Sequence, residues 1–268
     1  MAEVLATVTS DDLLRRRAGF DRVARLYDQV RPSYPPALFD DLAELTGIGR
    51  VLEIGCGTGQ ATVELARRGH PVVAVELGPN LAEIARANLA DFDRVRVETG
   101  DFERWTTTEP GFDVVFAATA FHWLTTPTRH QRTADLLRPG GALATVTTHH
   151  VAGGTAAFFV DAQLCYRRYD PTVPPHLRLS PAGRIPLDPD VGPRYGRPVF
   201  RRYEWDVDYR TAEYLDVLRT YSPTLALSRL AGEGQLREIG ALIDGRYGGR
   251  ITKRYLVELR VAPLADGG

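Results

Sequence analysis

From Val51 the chain runs through Val-Leu-Glu-Ile into Gly55-Cys56-Gly57-Thr58-Gly59, and from Gln60 it resumes with helical periodicity. A short strand that ends in three alternating glycines and feeds a helix restricts the fold more than any other stretch. Glycine lets the backbone turn sharply and approach a ligand with no Cβ in the way. The helix that follows offers unpaired N–H groups in its first turn. In open α/β sheets, ligands bind beyond the carboxyl ends of the strands, which is where this turn falls.

The alternation continues beyond the turn. Val51–Ile54 reads as a strand and Gln60–Arg68 as a helix. Pro71–Glu76 is a strand, Asn80–Leu89 a helix, and Val95–Glu98 and Phe112–Ala117 are strands. Thr126 caps a helix with Pro127 at its first position, ending near Leu137. Arg138-Pro139-Gly140-Gly141 is a turn and Ala142–Thr148 a fifth strand. Strand–helix alternation with short turns predicts an α/β, Rossmann-like fold: a mostly parallel sheet with helices on both faces. Ahead of it, Asp11–Val30 is an amphipathic helix with Phe20, Val23, Ala24, Tyr27 and Val30 on one face. Arg31-Pro32-Ser33-Tyr34-Pro35-Pro36 is a stiff connector to a second helix carrying Leu38, Phe39, Leu42 and Leu45.

After about residue 150 the pattern loosens. Ala156–Tyr169 is helical, Pro171–Pro198 an irregular loop, Val199–Tyr209 a strand, and Thr211–Tyr221 and Gln235–Asp244 helices. Ile251–Val261 alternates like an edge strand, able to pair across a dimer, though nothing requires one. The expected organisation is a core with its N-terminal helices over residues 1–150, a substrate-covering insertion over 151–250, and a final edge strand and tail over 251–268.

With a net charge of -1, the 268-residue chain makes no electrostatic case for nucleic acid or an anionic membrane. Lys253 is its sole lysine; all other basic residues are arginine. Two cysteines cannot build a disulfide framework, and Met1–Ser10 lacks a basic segment leading into an apolar run. A cytoplasmic setting is the expectation. No metal-ligand cluster, nucleophile elbow or Walker loop is visible.

Three further features join the glycine turn. Glu76 ends the second strand, about 20 residues on, where a carboxylate can accept from ribose hydroxyls. Asp101 and Phe102 follow the third strand, where a carboxylate and an aromatic ring suit adenine. Ala117 and Ala118 end the fourth strand and leave room for a ligand.

Val51-Leu52-Glu53-Ile54-Gly55-Cys56-Gly57-Thr58-Gly59 resembles motif I of class I S-adenosylmethionine (SAM)-dependent methyltransferases. Leu137-Arg138-Pro139-Gly140-Gly141 resembles their entry to the fifth strand, and the likeness covers roughly residues 20 to 150. Arg31-Pro32-Ser33-Tyr34-Pro35, His122-Trp123 and, less specifically, Thr220-Tyr221-Ser222 resemble a subgroup that includes trans-aconitate methyltransferase-like proteins. The resemblance implies SAM as cofactor and S-adenosylhomocysteine as product. It implies that Glu53, Gly55, Cys56, Gly57, Gly59 and Gln60 contact the methionine amino group and nucleoside. Glu76 with Leu77 would hold the ribose, Asp101 and Phe102 the adenine, and Ala117 and Ala118 the adjoining wall. Tyr27, Arg31 and Tyr34 would close over the methionyl end, Arg31 at its carboxylate.

For catalysis, His122 just past the fourth strand is the leading base and Tyr27 the second; each has a purely structural alternative. His149 and His150 are adjacent on a strand and point to opposite faces, so they make a poor metal pair. The aromatic second half favours a small organic acceptor, aromatic or heteroaromatic and from secondary metabolism, methylated at O, N or C. A small carboxylic acid is a further option, with Arg167, Arg168, Arg201 or Arg202 to bind it. Competing readings are a cyclase-like protein that uses SAM without methyl transfer, a nicotinamide oxidoreductase, and a regulator with a vestigial site. The glycine spacing speaks against the nicotinamide reading, because a dinucleotide fingerprint is G-x-G-x-x-G and here the third glycine comes one residue early.

Overall fold

The computed structural model describes residues 19–109, 111–125, 128–174, 176 and 179–265. The start of the Asp11–Val30 helix, the Thr126–Pro127 cap and the last three residues of the tail lie outside them. Helix α1 (Ala24–Val30) and helix α2 (Pro36–Thr46) precede the sheet. Then come β1 (Val51–Ile54), α3 (Gln60–Arg67), β2 (Val72–Glu76), α4 (Pro79–Asn88), β3 (Val95–Thr99) and β4 (Phe112–Ala118). A 3-10 turn, Phe121–Trp123, leads to α5 (Thr128–Leu136) and β5 (Leu137–His150). The second half holds α6 (Ala156–Tyr169), β6 (Val199–Arg210), α7 (Thr211–Arg219), α8 (Ser222–Ala226), α9 (Arg229–Arg246) and β7 (Arg250–Pro263).

The strands form one seven-stranded sheet in the order β3-β2-β1-β4-β5-β7-β6. The first five run parallel, and β7 is antiparallel to both β5 and β6. The strand order reverses between β1 and β4, and the glycine turn sits at that switch point, where side-by-side crossovers diverge and leave a crevice. All residues of β1 and β2 are buried, as strands covered on both faces must be. One face packs against Leu38, Phe39 and Leu42 of α2 and Leu65 of α3. The other packs against Phe102, Phe121 and Ala134. A third core joins α6, α7 and α9 to β7 through Phe158, Tyr214, Ile239, Ile243 and Ile251. No helix among the described residues is long and apolar enough to cross a membrane.

The structure departs from the sequence reading in two places. Arg138-Pro139-Gly140-Gly141 is an irregularity inside β5, with Phe112 opposite Leu137 and Val114 already opposite Ala142. More consequentially, the final strand is not an edge: β7 lies between β5 and β6, and β6 is the edge. Two charged residues of β7, Arg254 and Glu258, are matched across the ladder. Arg254 bonds both carboxylate oxygens of its register partner Asp206, at 2.7 Å each. Glu258 accepts from its partner Arg202 at 2.6 Å. An interior strand can carry charge when each charge meets its opposite on the neighbouring strand.

Because β7 is interior, Leu259→Ala, at a position with 0% exposure, is expected to cost about 2–5 kcal/mol. Val199→Ala on the edge strand, at 39% exposure, should change stability by less than about 0.5 kcal/mol. Urea denaturation of the two variants tests the placement; equal losses would contradict it.

Candidate active site

The crevice at the switch point is built on backbone that only glycine adopts readily. Gly55, Gly57 and Gly59 have φ of +66°, +58° and +89°. A Cβ on Gly55 would stand 2.8 Å from the Cβ of Ala120, so the β1 turn and the segment after β4 touch through that missing side chain. Glu76 locks the turn from the next strand: its carboxylate accepts from the Gly57 amide and the Gly78 amide, each at 2.8 Å. Burial pushes the Glu76 carboxyl up, while those amide bonds pull it back. Each oxygen keeps a further lone pair for a ribose hydroxyl.

Tyr27, Tyr34, Glu53, Gly55, Gly57 and Ala118 are among the residues lining a cavity here, along with Cys56 and Gln60. Glu53 is 1% exposed, and its Oε2 has no hydrogen-bond partner. Burial first and the Glu76 charge second push its carboxyl up to about 7, with the Thr62 hydroxyl opposing them. A buried, unpartnered acceptor on a cavity wall suits an incoming ammonium. The Cys56 thiol is pushed up by burial and is held neutral. Gln60 donates to the Arg31 carbonyl at 3.1 Å, tying the turn to the N-terminal arm.

That arm forms the roof. Tyr34 hydrogen-bonds Thr119 at 3.1 Å, and Thr119 reaches Thr148 at 3.4 Å, a hydroxyl chain that the sequence did not signal. Thr119, at φ +55°, is the one non-glycine residue with positive φ among the described residues, and such strain concentrates at functional sites. Burial raises the Tyr27 phenol, and Arg31 opposes that rise. The Arg31 Nε and Nη2 donate to Thr220 Oγ1 at 2.8 Å and Thr220 O at 2.6 Å. Its guanidinium lies 4.9 Å from the Tyr27 ring and 4.4 Å from the Tyr221 ring.

The remaining sequence candidates are spread around the crevice. Leu77 is half-buried beside Glu76, and Ala117 is fully buried behind Ala118. Asp101 Oδ1 accepts from the Glu103 amide at 3.1 Å. The Phe102 ring is buried in the core, with the Arg132 guanidinium 5.2 Å from its centroid. The Asp101–Arg104 turn rotates it inward, a direction that the bare sequence does not encode. His122 sits on the 3-10 turn, exposed and 5.0 Å from the Trp123 ring, and does not line the cavity. Packing around the imidazole, and then the Arg129 charge, lower its pKa. His150 abuts Phe159 at 4.2 Å. Among the described residues no His/Cys/Asp/Glu group is arranged to hold a metal.

Gly55→Ala is expected to destabilise the fold by about 1–3 kcal/mol, since it combines a positive φ with the contact to Ala120. Gly69→Ala, at φ +86° with nothing near its Cβ, carries the backbone strain alone and should cost less. Thermal denaturation of the pair separates strain from contact.

Comparison with known proteins agrees with this geometry. An uncharacterized methyltransferase of Mycobacterium tuberculosis is 35% identical over 127 residues, 47% of this chain and 51% of that protein. The trans-aconitate 2-methyltransferase of Deinococcus radiodurans is 33% identical over 96 residues, 35% of this chain and 36% of that protein. The chain thus spans about half the length, or less, of these curated relatives. Among solved structures, a protein of Anaeromyxobacter dehalogenans assigned as a type II methyltransferase superposes with TM-score 0.58 at 24% identity, over 88% of this chain and 99% of that one. A phosphoethanolamine N-methyltransferase of Haemonchus contortus, solved with S-adenosylhomocysteine, gives 0.53 at 16% identity, over 97% of this chain and 61% of that one. At these identities the likeness speaks for the fold. Residues 51–141, which carry the glycine turn, Glu76 and β4, match the methyltransferase domain family.

Proposed function

We propose that the protein transfers a methyl group from SAM to a small organic acceptor. The observation that carries this reading is the buried, unpartnered Glu53 oxygen on the cavity wall beside the glycine turn. Glu53 holds the methionine ammonium, Gly55 and Gly57 admit the nucleoside against bare backbone, and Glu76 receives ribose hydroxyls while bracing the turn. Asp101 stands where it can take the adenine amino group. Tyr27 and Tyr34 close the roof and exclude water. The bound cofactor supplies a methyl already activated by its positive sulfur, so the protein's main task is alignment, worth up to about 7–11 kcal/mol. Aromatic residues on β6 and β7, with half-buried Trp205 stacked on buried Tyr255 at 5.3 Å between ring centroids, favour an aromatic or heteroaromatic acceptor.

Calorimetric titration is expected to show SAM and S-adenosylhomocysteine binding and NADH not binding; no binding of either SAM-type ligand would overturn the proposal. Glu53→Gln should weaken SAM about 10- to 150-fold, the range of a hydrogen bond to a charged group of about 1.5–3 kcal/mol. Affinity should also depend on pH. The ammonium needs the carboxylate, and the free carboxyl titrates at about 7, so affinity rises with pH through about 7 and levels off above it. Glu53→Gln should flatten that profile; an unchanged slope would remove Glu53 from the ammonium site.

A further inference from the structure

The sole lysine, Lys253, is 5% exposed on β7. Its Nζ donates to the Tyr221 hydroxyl at 2.9 Å and lies 5.0 Å and 4.7 Å from the ring centroids of Tyr221 and Tyr255. Arg31 covers the same phenol from α1, 4.4 Å from the Tyr221 ring. Among the described residues, neither cation forms an ion pair with a carboxylate. Two such charges in a protected site are costly unless a negative group joins them.

The other titratable groups facing this phenol supply no negative charge. Tyr255 is 3.5 Å from the Tyr221 hydroxyl and 3.0 Å from that of Tyr209 on β6. Tyr27 on α1, Tyr166 on α6 and Tyr214 on α7 complete the ring of phenols. His150 on β5 is kept neutral by burial and by Lys253.

The sheet register connects this cluster to the cleft. His150 pairs with Tyr255 and Thr148 with Val257, so Thr148, His150, Tyr255 and Lys253 share one face. Val146, on that same face, pairs with Ala118, and Phe116 pairs with Glu53. Glu53, Ala118, Thr148 and Lys253 therefore follow one face of the sheet, from the cofactor end of the cleft to its far end.

We propose that Tyr221, clasped between Lys253 and Arg31, is the base that removes the proton from an O–H or N–H acceptor. The proposal rests on the methyl-transfer reading. The acceptor's X–H bond breaks, and its proton passes to the Tyr221 oxygen. The acceptor's electron pair forms the X–CH3 bond, and the C–S bond breaks to leave a neutral thioether. Tyr221 then returns the proton to water. Burial raises the Tyr221 phenol, but Lys253 and then Arg31 outweigh it and lower the pKa to about 8. The phenolate fraction grows as pH rises through that value. Tyr255 is pushed up, by burial first and then by the charge of Tyr221.

Phenolate absorbance titrated against pH in the full chain tests the assignment without an acceptor. One tyrosine should ionise near pH 8, below the others. Tyr221→Phe should abolish that step, Lys253→Met should move it above pH 10, and Lys253→Arg should restore it. Circular dichroism establishes that each variant is folded. With labelled SAM and a panel of simple phenols and indoles, Tyr221→Phe should lower kcat at least 100-fold while its calorimetric SAM affinity stays within twofold. Absence of the low step, its survival in Tyr221→Phe, or undiminished turnover in that variant would overturn the proposal. Failure of the unaltered protein to bind SAM would instead count against the proposed function, with the titration still deciding the state of Tyr221.

Discussion

The Glu76 carboxylate joins two turns at the carboxyl end of the sheet. One oxygen takes the Gly57 amide of the β1 turn, and the other takes the Gly78 amide that opens α4. Both bonds are made out of water, where an unpaired amide or carboxylate would each cost several kcal/mol. With Glu76 in place, the backbone of Gly55–Gly59 can hold its left-handed conformations without support from a ligand. The crevice is therefore set before anything binds, as a site that works by alignment requires.

The N-terminal arm is fixed to this frame by side chains rather than by a large core. Asp21 Oδ1 accepts from the Asn80 and Leu81 amides at 2.8 Å and 3.0 Å, capping the start of α4. Asn88, near the end of α4, bonds both Asp28 and the Thr58 carbonyl at 2.9 Å. Arg31 then carries the arm to the far side of the cleft through Thr220. The roof thus touches the glycine turn and the Thr220–Tyr221 segment at once. A shift of α1 changes the position of Tyr27 and the cover over Tyr221 together.

Much of the parallel half was legible in the sequence because its signals are local. Glycines at positions 55, 57 and 59 state their own backbone requirement, and continuous apolar runs such as Val72–Val75 state double-sided burial. The interior position of β7 was not legible, because Arg254 and Glu258 look exposed until Asp206 and Arg202 are placed opposite them. Nor was the inward turn of Phe102, which depends on the rotation after β3 rather than on residue type. Arg31 drew attention as an anion ligand, yet its nearest partners, Thr220 and Tyr221, lie about 190 residues away in sequence, and only the fold brings them near. The hydroxyl chain Tyr34–Thr119–Thr148 likewise spans three separate elements, and no spacing rule announces it.

These contacts give the cleft an electrostatic direction. Its β1–β2 end carries two buried carboxyl groups, Glu53 and Glu76, with no basic partner among the described residues. Its β5–β7 end carries Arg31 and Lys253 gathered around a phenol, with no carboxylate paired to either among the described residues. Like charges concentrated at opposite ends of a protein-walled cleft act through a lower effective dielectric than water, so the gradient between them is strong. A ligand with a cationic head and a nucleoside body is drawn to the first end. A group that becomes negative as it loses a proton is stabilised at the second.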